Sequence, residues 1–315
     1  MSQTSASRRN ALKVLGTTAG ASLLPGTTEA APTPSPAPKP NFLYSLNMST
    51  IRGHKLGYAK ELEVASKAGF RHVEIWMDSL QAYLDGGGTL SEARRRADDL
   101  GIKIENCIGF AQWIVDDETT RTQGLEQLKR EMDMLAQLGC RRTAAPPMGA
   151  TKTPGLDLKR AAERYRAIVE LGAQTGVAPQ LELWGFSQNL SRLSEVLYVA
   201  SESGHPGARL LLDVYHIYKG GSSVDSLPLV GKTGVEVFHV NDYPANKPPT
   251  EITDADRIFT GDGVAPLARI LQAIRNPDRP VVISFEVFNK DYYAQDPLKV
   301  AQTALAKMKS ATANL

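Results

Sequence analysis

The stretch TQGLEQLKREMDMLAQLGCRRTAA (122–145) contains the fold in miniature. Leu125, Leu128, Met132 and Leu135 recur at three- and four-residue steps, which predicts one apolar face of a helix over Thr122–Leu138. Gly139 follows directly, at the position where a left-handed residue ends a helix without steric cost. The short run Arg142–Ala145 then reads as a strand. The same helix–glycine step recurs at Ala68-Gly69, Leu100-Gly101 and Thr175-Gly176.

Working outward, strands are predicted at Phe42–Leu46, His72–Trp76, Lys103–Cys107, Arg142–Ala145, Pro179–Trp184, Arg209–Asp213, Val235–Val240 and Val281–Glu286. Helices are predicted at Tyr58–Ala68, Ser91–Leu100, Thr122–Leu138, Leu158–Thr175, Leu190–Ser203, Ala265–Ile274 and Pro297–Lys309, with a short one near Val224–Val230. Eight strand–helix units within residues 41–315 predict a single-domain α/β protein, a (β/α)8 TIM barrel. An open doubly wound sheet would need a glycine-rich phosphate turn after its first strand. The segment after Leu46 is Asn47-Met48-Ser49-Thr50-Ile51-Arg52, and Gly86-Gly87-Gly88 lies too far past the second strand to serve.

The 315 residues hold 36 basic and 34 acidic side chains, with 42% hydrophobic and 22% charged. That composition excludes a disordered tail, a coiled coil and a polytopic membrane protein. Residues 1–40 hold Arg8, Arg9, Lys13 and Lys39 against Glu29, so the small net positive charge belongs to that segment and the remainder is slightly acidic. A near-neutral body offers no broad basic face for nucleic acid. Cys107 and Cys140 are too few for a disulfide framework and read as buried small hydrophobes.

Ser7-Arg8-Arg9-Asn10-Ala11-Leu12-Lys13 resembles the twin-arginine export motif, with Ala11 where that motif usually carries Phe. The weakly apolar stretch Val14 to Leu24 and the small residues around Thr28-Glu29-Ala30 complete a signal peptide over 1–30. APTPSPAPKP (31–40) reads as an extended Pro-rich linker. These features predict export by the twin-arginine machinery to a periplasmic or extracellular location. The apolar stretch is too short for a stable membrane anchor.

In a barrel the strand C-termini face the active site. Four successive strands end in metal-competent groups: Glu182, Asp213, His239 and Glu286. Three carboxylates at one mouth repel each other, and burying them costs several kcal/mol unless they are paired or metal-bound. An O,O,O,N set suits one divalent ion: Mn, Mg, Co or Zn.

At these residues the chain resembles the xylose isomerase-like superfamily of sugar phosphate isomerases and epimerases. The pieces that carry the likeness are LLDVYHIYKGGS (211–222), FHVNDYP (238–244), DADRIFTGDG (254–263) and SFEVFNKDYYAQDP (284–297). The resemblance implies that Glu182, Asp213, His239 and Glu286 hold the metal. It also implies that Glu182 and Glu286 act as acid and base, and that His216 and Arg257 contact substrate. Ala245 departs from the arginine that tagatose 3-epimerase-type relatives carry six residues after the metal histidine, which puts ketose 3-epimerisation in doubt. The nuclease branch of the superfamily needs many histidines for several zinc ions, and this chain has five.

Trp113, Trp184 and Phe288 are candidates for an apolar wall against a sugar ring, and Glu74 for a sugar hydroxyl or for orienting a ligand. The expected chemistry is isomerisation or epimerisation of a sugar or polyol ketone, by proton abstraction next to a carbonyl through a metal-stabilised enediolate. A lyase acting on a keto-sugar, keto-glycoside or inosose is the alternative, because its first step is the same. A non-enzymatic sugar binder would not need four metal ligands. A homo-oligomer is left open.

Overall fold

The computed structural model describes residues 41–315. The predicted signal and linker lie outside the described residues. Eight parallel strands form one sheet in the order β3-β2-β1-β8-β7-β6-β5-β4. They are β1 (Phe42–Asn47), β2 (His72–Trp76), β3 (Lys103–Ile108), β4 (Arg142–Ala145), β5 (Ala178–Glu182), β6 (Arg209–Asp213), β7 (Val235–Val240) and β8 (Val281–Phe285). The sheet curls into a nearly closed TIM barrel. Each strand is almost wholly buried beyond its first residue or two, as expected for a parallel sheet covered on both faces.

The remaining seam lies between β3 and β4. Side chains bridge it: the Thr143 hydroxyl donates to Cys107 O at 3.3 Å, and Arg142 Nη1 donates to Glu105 Oε2 at 3.0 Å.

The outer helices follow the predicted positions, among them Tyr58–Ala68, Leu90–Asp99, Glu118–Gln137, Leu158–Thr175, Leu193–Glu202, Leu267–Ile274 and Pro297–Thr312. The stop glycines Gly69, Gly101, Gly139 and Gly176 all adopt positive φ, between 63° and 97°, so the sequence signal had a backbone cause. The Val224–Val230 segment is a 3-10 helix.

Short helical segments at Met48–His54, Met77–Asp85, Val214–Lys219 and Lys290–Tyr293 were not foreseen. They follow β1, β2, β6 and β8 at the barrel mouth. Val214–Lys219 has no room for an apolar period, and a cap starts it instead. Asp213 Oδ1 accepts from Tyr215 N at 2.5 Å and from His216 N at 3.1 Å. The residue expected to bind metal therefore also fixes the position of His216.

Candidate metal centre

Glu182 is the last residue of β5, Asp213 ends β6, His239 lies one residue before the end of β7, and Glu286 follows β8 directly. The alternation of the strands turns these side chains into the barrel mouth, and all four are at most 4% exposed. Ligand atoms of Asp213, His239 and Glu286 lie within 4.8 Å of one another. Glu182 lies outside this trio and lines a cavity together with Glu286.

His239 shows the arrangement best. Its Nε2 lies 3.0 Å from Glu74 Oε1, and this contact fixes the ring. Its Nδ1 points to Glu286 Oε2 at 3.3 Å and Asp213 Oδ2 at 3.7 Å and makes no hydrogen bond to either. Burial disfavours a proton on this ring, but the flanking Glu286 and Glu74 carboxylates outweigh it and hold the imidazole well above its ordinary range. In the absence of a cation, a proton is what balances the carboxylates here. A carboxylate behind a ring nitrogen whose other nitrogen faces two more carboxylates is the usual support of a metal-binding histidine. The donor set therefore fits a divalent cation.

Glu74 is fully buried and does not line the cavity. Besides His239 it accepts from Asn47 Nδ2 at 2.7 Å, Asn106 Nδ2 at 2.5 Å and Ser284 Oγ at 2.8 Å. Of the two roles expected for it, orienting a ligand is the one this position can serve. Asn47 bridges Glu74 to Glu286 Oε1 at 3.0 Å, and Asn241 Nδ2 reaches both Asp213 oxygens at 3.2 Å. The sequence reading passed over Asn47, Asn106, Ser284 and Asn241. The available signal was parity: Asn241 is two residues from His239 and Ser284 two from Glu286, so each shares an inward face.

Arg257, 1% exposed, enters from the loop after β7. Its Nη1 donates to Glu286 Oε2 at 2.7 Å and Asp213 Oδ2 at 3.1 Å, and its Nη2 to Asp254. The guanidinium lies over the Tyr215 ring, 4.2 Å from its centre. His216 Nδ1 accepts from Gly185 N at 3.2 Å, and its Nε2 lies 3.2 Å from Arg257 Nη2. Burial, with the Arg257 charge beside it, holds His216 well below its ordinary range, so the ring is neutral. A neutral imidazole has one N–H and can accept from only one of these donors. The two backbones also pack closely: a Cβ on Gly185 would lie 2.3 Å from the His216 carbonyl oxygen.

The two glutamates are pushed in opposite directions by their surroundings. Burial and the neighbouring Glu286 charge push Glu182 up to about 8, and its Oε2 has no hydrogen-bond partner. Burial works against ionisation of Glu286 too, but His239 and Arg257 hold it well below the usual carboxylate range. Burial also raises Asp213, against the pull of Arg257.

Above these groups lies a cavity of about 310 Å³. Glu182, His216, Arg257 and Glu286 form its polar side, and Trp76, Phe110, Trp184, Phe186 and Phe288 its aromatic side. Trp184 is thus on the wall. Trp113 is not in the lining: it is 1% exposed, packs on Tyr165 and donates its indole N–H to Pro146 O at 3.0 Å. Trp76 and Phe110 were not singled out from the sequence.

A family model described as xylose isomerase-like TIM barrel matches residues 62–311. The inosose isomerase of Bacillus velezensis (strain FZB42) is 25% identical over 252 residues, which cover 77% of this chain and 89% of the relative. Among solved structures, the IOLI protein with a bound zinc atom superposes with a TM-score of 0.78 at 22% identity, over 86% of this chain and 98% of that one. The probable 3-DHS dehydratase AsbF of Bacillus anthracis superposes with a TM-score of 0.69 at 18% identity, over 87% and 100%.

Proposed function

The chain belongs to the xylose isomerase-like TIM-barrel family, and from that premise we propose that it is a divalent-metal-dependent isomerase or epimerase of a sugar or polyol ketone. The observation that carries this reading is the unpartnered His239 Nδ1, held by Glu74 and aimed between Asp213 and Glu286. The inosose isomerase relative supports the reaction class, and the zinc in the IOLI structure supports the cation.

Asp213, His239 and Glu286 would hold the ion, with Glu182 completing the set from across the cavity. Bound there, a divalent cation supplies Lewis-acid stabilisation of negative charge developing on a carbonyl oxygen and its neighbouring hydroxyl. The protein's own residues handle the proton. Glu286 is ionised and can take a proton from the carbon beside the carbonyl. Glu182 reaches the same cavity from another stave, since β6 and β7 separate the two, and can exchange a proton with the carbon from its own side. Two carboxylates that reach one cavity from different staves are what an acid–base pair requires. His216, neutral and buried, orients a substrate oxygen, and Arg257 balances the carboxylates. Trp184 and the rings beside it give the C–H face of a sugar a surface to rest on.

The test is solvent-deuterium exchange, read by NMR, on inososes and keto-sugars with the cation-loaded protein. Exchange at the carbon beside the carbonyl, lost in Glu286→Gln, is the expected result. Release of water with formation of an enone would assign the lyase chemistry instead. Absence of exchange across the panel would reject both. We also propose, from Arg8-Arg9 and the apolar stretch behind them, that the protein is exported by the twin-arginine route. Replacing both arginines by lysine should leave it in the cytoplasmic fraction.

A further inference from the structure

Resting on that reading of the site, we propose that Trp76 is a positioning residue. Its indole N–H fixes the side-chain amide of Asn47, and that amide sets Glu286 and Glu74 around the cation position. Trp76 also lines the cavity, so one side chain has two separable roles.

The Asn47 amide has one way to face. Its Oδ1 accepts from Trp76 Nε1 at 2.8 Å and from Ser49 N at 2.9 Å. Both partners are donors only, so a flipped amide would set its NH2 against two N–H groups. Nδ2 is thereby left to donate to Glu74 Oε2 at 2.7 Å and to Glu286 Oε1 at 3.0 Å. Both lone pairs and both hydrogens of this wholly buried amide are used.

The consequence reaches the site along two arms. With Oε1 taken by Asn47, Glu286 presents Oε2 to Arg257 Nη1 at 2.7 Å and to His239 Nδ1 at 3.3 Å. Glu74 stands behind His239, whose Nε2 lies 2.9 Å from the same Oε2 that Asn47 holds. Asn47 thus orients one expected ligand directly and a second through Glu74.

Of the two donors to Oδ1, the Ser49 N–H belongs to the turn that Asn47 itself begins and moves with it. Trp76 is the donor from another strand. It ends β2, two residues past Glu74, so the two side chains share an inward face. The indole is held in turn. The Arg52 guanidinium, paired with Asp78, lies over it at 4.3 Å from the ring centre, and the rings of Phe110 and Phe288 are centred 5.4 and 5.9 Å away. A phenyl ring would also serve as cavity wall; the indole adds the donor that Asn47 needs.

The experiment is a double-mutant cycle on cation affinity, read by chelator competition. Trp76→Phe keeps an aromatic ring and removes the donor. It is expected to weaken cation binding about tenfold, and Asn47→Ala about 10- to 100-fold. In the Asn47→Ala background, Trp76→Phe should add less than about twofold, because the group it acts through is gone. Unchanged affinity in Trp76→Phe, or the same loss in both backgrounds, would overturn the inference. So would a rise in KM with cation affinity intact, which is what a cavity wall alone predicts. If Trp76→Phe does not fold, proton NMR of the Trp76 indole N–H reads the contact instead: its resonance should move upfield in Asn47→Ala, and an unmoved resonance would overturn the inference. Absence of cation binding by the unaltered protein would do the same. A protein that binds the cation and exchanges no ketone proton loses the isomerase reading and leaves this inference standing.

Discussion

The two ends of the barrel both bury carboxylates, and they balance them in opposite ways. At the N-terminal end, Glu105 meets His72 Nδ1 at 2.8 Å, Lys103 Nζ at 2.9 Å and Arg142 Nη1 at 3.0 Å. Glu236 meets Arg142 Nε at 2.7 Å and Arg209 Nε at 3.0 Å. At the C-terminal end, Glu74, Glu182, Asp213 and Glu286 face only Arg257 and the proton on His239, and Glu182 Oε2 and His239 Nδ1 lack partners. The first network has its cations covalently built in. The second is left short of positive charge, and a structure that bears such a cost keeps it for a ligand.

The comparison breaks most sharply if the mouth does not need a cation. His239→Ala and Asp213→Ala should each lose the bound metal by elemental analysis, and exchange activity should fall by about 10³-fold or more. Far-UV circular dichroism should stay unchanged. Full metal content in both variants would leave the mouth as a second structural network.

The opposite end should show stability without activity. Arg142→Ala removes the shared partner of Glu105 and Glu236, and it should cost about 2–4 kcal/mol in urea unfolding. Metal affinity and turnover in the folded fraction should be unchanged. A fall in metal affinity would mean that the two ends are coupled. Between these extremes lies Glu74→Gln, which keeps the shape behind His239 but removes its charge. Metal affinity should drop about 10- to 100-fold in a chelator competition, with the fold retained.

The barrel was legible because its signals are local and repeated: a helical period, a glycine forced to positive φ, and a strand, as at Leu138-Gly139-Cys140. The four residues at the mouth were legible because each ends an apolar strand. The layer beneath them was not. Asn47, Glu74, Asn106 and Ser284 are single polar residues on four different strands, and only closure of the barrel makes them neighbours. Loops were harder still. Nothing local tells that Trp113 turns under its loop toward Pro146 while Phe110, three residues earlier, faces the cavity. Nothing local tells that the turn holding Gly261 is pinned by Asp242, earlier in the chain, whose carboxylate accepts from Gly261 N and Ala265 N.

The finest test of the contrast is the sign of the pH dependence of stability in chelator-treated protein. Glu105 starts from an ordinary value of 4.5; burial would raise it, but His72, Lys103 and Arg142 hold it to about 2. Its contribution is therefore complete above about 4.5 and is lost as pH falls toward about 2. Glu182 runs the other way. Its value rises from 4.5 to about 8 on folding, so the metal-free protein takes up a proton when it folds between those limits. Stability then declines as pH climbs through that window. Glu182→Gln should reduce the upper slope, by a few degrees in melting temperature between pH 6 and pH 8, and His239, also held well above its ordinary range, should keep the rest. Glu105→Gln should flatten the acid limb alone. Adding back the cation should abolish the upper slope in the unaltered protein, because the metal then supplies the charge that the proton had replaced. If Glu182→Gln melts in parallel with the unaltered protein across that window, Glu182 does not carry the imbalance, and the Asp213, His239 and Glu286 trio would have to bear it without the fourth carboxylate.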